Sequence, residues 1–599
     1  MAWPNPFRRR DQNTRTCWGY TFQLTPEHLT PEQAHPMKYT YDVLGEECYE
    51  ILNQLDPPAT RPDFAKNEAQ GTTTDGKPAL PKPTRDFYVL LRDNKDKHEK
   101  LQQLWDEVTT TPDWVDWDQI ARGQDVFYRY GGATLTGLAY QSLLGGMGAN
   151  RVVEVLARTG GFSVKVARHR LFETTQHILE CTKSIESIKP GGGGFASSLR
   201  VRLLHAAVRQ RIMKLAKTRP EYYSVEKYGI PINDLDCIAT IGTFSGTIIW
   251  LSLPRQGIWL REQEIEDYIA LWRLIALYMG TPTEWFETPA KAKAMMESLL
   301  MNEINPSQTS KILAANVIRC LENQPPTYAS RSFLEVNARW LNGNELCDAL
   351  GLGRPSAWYW ALMGGQCIFF MSICYLYRSI PALDRRKVKA LRSVFWALIV
   401  EGKFGLGQET VFDFKYVPDY NVLTAKGGDE EVKTIDVGIE RKYRNTLLIA
   451  TGCVAVAGYV VPFAPRHQLF AAPDALVDST IRTTPNRHLH PLSASFTEGR
   501  HKLLTQAPKL WHSFVPSSTP NVCRSPSPPS RSSRPGGSVI GLWLGSHSSQ
   551  ARFAANLYAL KTAGSGLGSR ARDMDFVSDR PVPLGDDGLL RHGWEKESL

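Results

Sequence analysis

Apolar residues recur at helical spacing through most of residues 116–440, and this pattern limits the fold more than any other feature of the sequence. Short turns rich in glycine and proline separate the helical segments. The clearest segments are Gly123–Leu144, Arg151–Arg158, Val164–Glu180, Ala196–Ala216, Ile232–Trp250 and Arg261–Met279. Stretches with the alternating pattern of a strand are scarce. The sequence therefore predicts an all-α fold dominated by one large helical domain.

The chain divides into four zones by composition. Residues 1–115 form an irregular N-terminal extension with one predicted helix near Tyr41–Leu55, and residues 116–440 form the helical domain. Residues 446–464 are predicted to be a transmembrane helix. Residues 465–599 are rich in serine, proline, arginine and glycine, and they cannot bury enough apolar surface to offset the entropy lost on ordering. We predict a disordered tail there.

Two uncharged runs are long enough to cross a bilayer, which requires about 20 residues. Asn445–Pro465 follows the basic residues Arg441, Lys442 and Arg444, a flank that stays in the cytosol under the positive-inside rule. It also lies between the helical domain and the tail, where no core would cover it. The other run, Pro355–Tyr377, is explained equally well by a membrane span and by a buried core helix.

The charge of the chain argues against nucleic-acid binding. The formal net charge is +9, but residues 465–599 hold 16 basic and 10 acidic side chains. The rest of the chain holds 54 basic and 51 acidic residues, so the helical domain carries no basic stripe for a nucleic acid.

The N-terminus and the cysteines indicate an intracellular protein. Residues 1–10 lack the apolar core of a secretory signal. None of the ten cysteines forms a C-x-x-C pair, so a zinc ribbon is not indicated. We therefore expect reduced thiols.

The most distinctive histidine is His205. On a helix, Arg202, His205 and Arg209 fall within an arc of about 60°. The imidazole could ligate an iron centre, and the two guanidinium groups could pair with the carboxylate edges of a cofactor. A structural histidine beside two surface arginines explains the same spacing, so the pattern alone does not decide.

A second cluster lies upstream of His205. Glu154 and Arg158 are four residues apart, as are Arg170 and Thr174, so each pair can share a helix face. One reading is a set of surface contacts in which the ion pair contributes less than about 1 kcal/mol. The other is a pocket with a carboxylate base, an arginine and a hydroxyl.

Six short motifs between Arg122 and Pro282 resemble, in order and spacing, the catalytic domain of bacterial latex-clearing proteins and fungal MpaB-type oxygenases. They are RGQDVFYR (122–129), LARTGG (156–161), RHRLFETTQ (168–176), RLLHAAVR (202–209), GIPINDLD (229–236) and LWRLIALYMGTP (271–282). The resemblance implies an all-α domain that binds haem b, with His205 as the proximal iron ligand and Arg202 and Arg209 as its cofactor-binding companions. It places the pocket base at Glu154, and the pocket arginine and threonine at Arg170 and Thr174.

The resemblance also implies a reaction. It indicates an oxygenase that uses O2 to cleave or oxidise a C=C bond in a lipophilic, isoprenoid-like substrate. Glu173 stands where some rubber-cleaving members have a lysine that caps the iron, so the lysine-ligated state is not expected here. The missing export signal favours the MpaB branch, which implies a membrane-associated protein of the endoplasmic reticulum. The oligomeric state cannot be predicted from the sequence.

Two other functional classes remain open at this stage. One is a haem-binding module without turnover, such as a sensor or carrier. The other is a membrane-attached helical scaffold without a cofactor, in which Arg202, His205 and Arg209 face solvent or a partner.

Overall fold

The computed structural model describes residues 10–57, 85–160, 162–325 and 327–412, and most of these residues are helical. The predicted all-α fold is confirmed. The α-helices are α1 (Pro31–Ala34), α2 (Val43–Leu55), α3 (Phe87–Asn94), α4 (Glu99–Thr109), α5 (Trp117–Arg129), α6 (Gly131–Gly137), α7 (Asn150–Thr159), α8 (Val164–Thr182), α9 (Ile185–Ile188), α10 (Gly193–Thr218), α11 (Val225–Tyr228), α12 (Asp234–Phe244), α13 (Leu253–Arg255), α14 (Glu262–Tyr278), α15 (Pro289–Asn302), α16 (Gln308–Leu321), α17 (Arg331–Asn342), α18 (Asn344–Ala349), α19 (Ala357–Arg378) and α20 (Pro381–Trp396).

Three further segments adopt the wider π-helical winding. They are Leu138–Leu144, which continues α6, Ile248–Ser252, which precedes α13, and Ala397–Glu401, which follows α20. Short 3-10 turns occupy Pro36–Lys38, Lys95–Lys97, Pro220–Tyr222 and Glu284–Phe286.

A single β-hairpin interrupts the helical pattern of the described residues. Strands β1 (Thr14–Cys17) and β2 (Tyr20–Gln23) pair antiparallel, with Thr14 opposite Gln23. The two turn residues, Trp18 and Gly19, have φ values of 50° and 72°. Left-handed backbone at both central positions suits the right-handed twist of a hairpin, although tryptophan rarely adopts it.

Two of the predicted helical segments are broken in the structure. The segment Gly123–Leu144 divides at Tyr130 into α5 and α6, and Ile232–Trp250 divides after Phe244, with a bend of 40°. The other four segments lie in α7, α8, α10 and α14 to within a residue or two. Apolar periodicity thus located the helices but not the bends within them.

The long helix α10 packs against α2, α8 and α14 and so lies at the centre of the fold. Glycine permits its first turn to approach the end of α8 closely. A Cβ on Gly194 would lie 2.8 Å from the Cα of Cys181, which is closer than real Cβ contacts. Within the glycine run at 191–194, which does not match a phosphate-binding loop, Gly194 therefore has a packing role.

The N-terminal region contributes more helix than expected. Besides α2, which matches the predicted helix near Tyr41–Leu55, it contains α3 and α4, and both pack near α2. Of the cysteines that the structure describes, none forms a disulfide.

The apolar run at 355–377 forms α19, which is long and apolar enough to cross a membrane by length and composition. Only 28% of its most apolar window is buried. Large apolar side chains are exposed on α19, with Phe369 at 46% and Leu376 at 61%, and in the π-helical segment after α20, with Leu398 at 52%. The predicted transmembrane helix at 446–464 and the tail at 465–599 lie outside the described residues.

Candidate functional site

A cavity of about 360 Å³ lies between α7, α8, α10 and α12. Its volume falls within the range of about 300–1,000 Å³ that is typical of small-molecule and cofactor sites. Most of its wall is apolar, and the α10 wall consists of Val201, Leu204, His205 and Val208. These four positions share one helix face, so α10 presents His205 in the middle of an apolar stripe.

Both π-helical segments in the first part of the domain border this cavity. Gln141, Ser142 and Leu143 come from one segment, and Leu251 comes from the other. π-helical turns are rare and occur frequently at functional sites. They widen the helix locally and so change which side chains face the cavity.

Unusual backbone conformations also concentrate at the cavity wall. Trp18, Ile232 and Phe412 have φ values of 50°, 54° and 58°, and all three line the cavity. Left-handed backbone is costly for bulky and β-branched residues, and it persists where surrounding contacts hold it. Such strain is common at ligand-binding sites.

His205 has the properties of a neutral metal ligand. Its imidazole lines the cavity, and neither ring nitrogen hydrogen-bonds to any residue that the structure describes. Burial, reinforced by the positive charge of Arg209, lowers the pKa of His205 to about 4. The ring is therefore neutral near pH 7, which is the form that binds metal ions.

Arg170 and Thr174 of α8 line the same cavity, so the structure brings them together with His205. Arg170 Nη1 donates to Glu173 Oε2 at 2.8 Å, and the Thr174 hydroxyl donates to the carbonyl of Arg170 at 3.0 Å. Burial disfavours the charged form of Glu173. Contacts with His169 and Arg170 nevertheless hold the pKa of Glu173 below its usual value. The carboxylate of Glu173 is therefore favoured in its ionised form, at the position where the resemblance places the capping lysine of some rubber-cleaving members.

Arg202 lies outside the cavity lining. It is buried, and its Nε and Nη2 donate to the two carboxylate oxygens of Asp42 at 2.7 and 2.8 Å. Its Nη1 donates to Glu107 at 2.9 Å. The guanidinium group of Arg202, which was predicted to bind the cofactor, is thus paired with two carboxylates of the chain itself.

Arg209 supports the cavity wall from behind. Its Nη2 donates to the carbonyl of Ile232 at 2.9 Å, and its Nε donates to that of Pro231 at 3.2 Å. Nη1 pairs with Glu46, and the guanidinium lies 4.6 Å from the ring centroid of Tyr41. Arg209 therefore holds the strained Ile232 in place without lining the cavity itself.

Glu154, the predicted base, is buried but does not line the cavity. Its Oε2 accepts a hydrogen bond from Arg158 Nη1 at 2.6 Å. Arg158 also donates to the carbonyl of Tyr222 at 2.5 Å. The predicted Glu154–Arg158 pair is thus formed, and its role in proton transfer remains a prediction.

Another buried carboxylate does reach the cavity. Asp236 lines it, and its Oδ1 lies 2.8 Å from Arg151 Nη1, while its Oδ2 accepts from Asn233 at 3.0 Å. Burial raises the pKa of Asp236 to about 6 despite the nearby arginine. Glu303, paired with Arg151 at 3.0 Å, lies beside it on the same wall.

Two polar residues of the wall were not singled out by their sequence pattern. His177 lines the cavity, its Nδ1 is 2.8 Å from the Ser197 hydroxyl, and burial lowers its pKa to about 4. Arg255 lines it from α13. The charge of Arg255 at the end of the apolar run IIWLSLP is the one sequence signal that could have drawn attention to it.

The segment that carries this site has known relatives. Residues 128–366 match the family model described as ER-bound oxygenase mpaB/B'/Rubber oxygenase, catalytic domain. The resemblance to this family is confirmed over that segment. All six predicted site residues lie within it.

Among solved structures, latex clearing protein LCP in the closed state is similar at 17% identity and a TM-score of 0.43. The similarity covers 61% of this chain and 93% of that chain. No curated protein matches the sequence.

The residues around His205 fit haem. The imidazole has free ring nitrogens in an apolar chamber, as a proximal ligand requires. A Cβ built on Gly242 or Gly146, which both line the cavity, meets no atom within 4 Å, so the chamber is open beside these glycines. Within the described residues no cluster of three or more metal-ligating side chains occurs. Two histidines line the cavity, and because His177 contacts the Ser197 hydroxyl, His205 is the candidate iron ligand.

Proposed function

We propose that this protein is a haem b-dependent oxygenase that uses O2 to cleave or oxidise a C=C bond in a lipophilic, isoprenoid-like substrate. The observation that carries the proposal is His205, a neutral imidazole without a hydrogen-bond partner among the described residues, in the wall of a mainly apolar cavity. Haem, when bound, supplies the oxygen chemistry, and the protein supplies the axial ligand, the polarity and the access.

The other residues of the wall have distinct roles in this proposal. Arg170 and Thr174 place a positive charge and a hydroxyl beside the reacting groups, where they orient the substrate and stabilise developing negative charge. Arg209 acts indirectly, because it holds Ile232 in the wall. Arg202 fixes α10 through Asp42 and Glu107.

Two carboxylates compete for the proton-transfer role. The family resemblance points to Glu154, whose carboxylate is engaged by Arg158. The geometry favours Asp236, which lines the cavity. Burial raises the pKa of Asp236 to about 6, toward the neutral range in which a general base is most effective. Comparing the turnover of Glu154→Gln with that of Asp236→Asn, at equal haem content, separates them.

A lipophilic substrate suits both the cavity and the outer surface. The cavity wall is mainly apolar, so it favours a hydrocarbon chain over a polar substrate. We also propose that the exposed apolar side chains Phe369, Leu376 and Leu398 contact a membrane, where such substrates partition. Under this proposal the protein works at an intracellular membrane, and the MpaB branch suggests that of the endoplasmic reticulum.

The test is haem retention by the full-length protein. We expect purified wild-type protein to show a Soret band with stoichiometric haem b, and His205→Ala to lose it. His35→Ala, a change at an exposed histidine outside the cavity, is the matched control and should retain haem. Normal haem content in His205→Ala would refute the assignment, and a folded wild-type protein without a Soret band would favour the scaffold class.

A further inference from the structure

Arg255 is a buried cation in the wall of the cavity. It ends α13, directly after the π-helical segment Ile248–Ser252, and its side chain is only 7% exposed. Its Nη2 donates to the carbonyl of Trp18 at 3.1 Å, and its Nη1 donates to the carbonyl of Leu341. A guanidinium has five N–H donors, so three remain without a partner among the described residues.

This arginine lacks the carboxylate that other buried arginines have. Arg202 pairs with Asp42 and Glu107, and Arg339 pairs with Asp348. In the described part of the chain no aspartate or glutamate lies within ion-pair distance of Arg255. A buried charge without a counter-ion is costly, and proteins retain one mainly where it has a function.

The charge of Arg255 persists at physiological pH. Burial lowers its pKa to about 10, which still leaves the guanidinium protonated near pH 7. Leu341 lies in the last turn of α17, where the helix dipole places partial negative charge on the carbonyl oxygens. These carbonyls therefore offset part of the positive charge of Arg255. Gln141 Nε2 donates to the same carbonyl at 2.7 Å, and a neutral side chain can therefore satisfy that position. Linking α13 to α17 does not by itself require a cation.

We propose that Arg255 is an anion anchor that binds a carboxylate inside the cavity. Guanidinium and carboxylate groups form paired hydrogen bonds, and the free donors of Arg255 suit this geometry. The carboxylate comes from one of two sources: a propionate of haem, or an acid group on the lipophilic substrate. The first source rests on the proposed function, whereas the second does not require haem.

The first experiment tests whether the anion is an acid group of the substrate. Ligand binding to haem-free, full-length protein is followed by tryptophan fluorescence, because Trp18 and Trp272 both line the cavity. The probes are farnesoic acid and farnesol, which differ in the carboxylate. If the substrate supplies the anion, wild-type protein should bind the acid about tenfold or more tightly than the alcohol. Arg255→Gln keeps a neutral donor but removes the charge, and it should abolish this preference.

The second experiment tests whether the anion is a haem propionate. The Soret band is used to compare the affinity of the protein for haem with its affinity for haem dimethyl ester. If a propionate is the anion, wild-type protein should bind haem about tenfold or more tightly than the ester, and Arg255→Gln should bind them equally. Arg339→Gln is the control, since Arg339 is buried and paired but does not line the cavity. It should lose stability and keep both preferences.

The proposal is overturned if wild-type protein shows neither preference, or if Arg255→Gln retains whichever preference the wild type shows. A purely structural Arg255 would lower the free energy of unfolding on substitution and leave ligand preference unchanged. The haem assignment fails separately, if His205→Ala retains haem. That outcome does not affect the experiment with farnesoic acid and farnesol, which uses haem-free protein.

Discussion

Arg202 and Asp42 form a bidentate ion pair that joins α10 to the start of α2, with N–O distances of 2.7 and 2.8 Å. Asp42 is also the N-cap of α2, and its Oδ1 accepts from the backbone N–H of Gly45 at 3.0 Å. One carboxylate thus fixes both the beginning of α2 and the rotation of α10. Because His205 follows Arg202 by less than one helical turn, this pair helps to direct the imidazole into the cavity.

We predict that Arg202→Met lowers the free energy of unfolding by about 3 kcal/mol, because the partly buried Asp42 loses its bidentate counter-ion. The double variant Asp42→Asn/Arg202→Met should recover part of this loss, since no charge remains unpaired between the two positions. Urea denaturation of the single and double variants measures the coupling. Strictly additive losses would show that the pair does not act as a unit.

Gly242 offers a way to fill the cavity without disturbing its wall. A Cβ there meets nothing within 4 Å, so Gly242→Leu should occupy the chamber and abolish haem retention. Stability should be unchanged or higher by about 0.5–1 kcal/mol, because glycine is unfavourable within a helix. Haem content and thermal unfolding give the two readouts.

Gly123→Ala is the contrasting control for this prediction. A Cβ at Gly123 would lie 3.0 Å from the carbonyl carbon of Asp267, where α5 and α14 are in close contact. This variant should lose stability. A stable Gly242→Leu protein that still binds stoichiometric haem would show that the cavity beside Gly242 is not the cofactor site.

Glu180 should make stability depend on pH. It is buried in α8, its Oε1 accepts from Gln176 at 2.9 Å, and burial raises its pKa to about 7. Its pKa is thus higher in the folded state than in the unfolded chain, so the folded form binds more protons between about pH 4.5 and 7. The Glu180 contribution to stability is therefore greatest at low pH and falls as the pH rises through that window.

We predict that Glu180→Gln raises the free energy of unfolding by about 1–3 kcal/mol at pH 8 and changes it little at pH 4.5. The measurement is urea denaturation of both proteins across this range. An equal effect of the substitution at the two pH values would rule out an ionisable, destabilised Glu180.

The exposed apolar side chains of α19 and of the π-helical segment after α20 predict membrane binding. Phe369, Leu376 and Leu398 are each about half exposed, so burying the exposed half of each in lipid contributes about 1 kcal/mol. Replacing all three by serine should reduce binding to phosphatidylcholine vesicles at least about 100-fold. Val43→Ser removes an exposed apolar side chain on α2 and should have little effect. Unchanged vesicle binding by the triple variant would argue against this surface as the membrane contact.

The sequence predicted the helices well because apolar spacing reports directly on which helix face is buried. It also grouped Arg170, Thr174 and His205, which do line one cavity, although the family resemblance rather than the spacing carried that inference. Spacing placed Arg202 and His205 on one face but could not reveal the partner of Arg202. That partner, Asp42, is 160 residues earlier in the chain.

Arg255 was missed for a related reason. Its significance depends on what surrounds it, namely a cavity, two backbone carbonyls and no carboxylate in the described structure. None of these is encoded in the residues next to it. The bend after Phe244 and the π-helical segments are likewise set by tertiary packing and leave no periodic signal.

Trp18 and Phe412, which lie close to opposite ends of the described chain, both contribute to the same cavity wall. During synthesis, the hairpin that carries Trp18 leaves the ribosome long before Phe412 does. The chamber therefore closes only after the whole domain has been translated, and a nascent chain exposes its apolar interior until then. Under the proposed function, loading of haem is consequently a late event, and cells with little free haem would accumulate complete but empty domains.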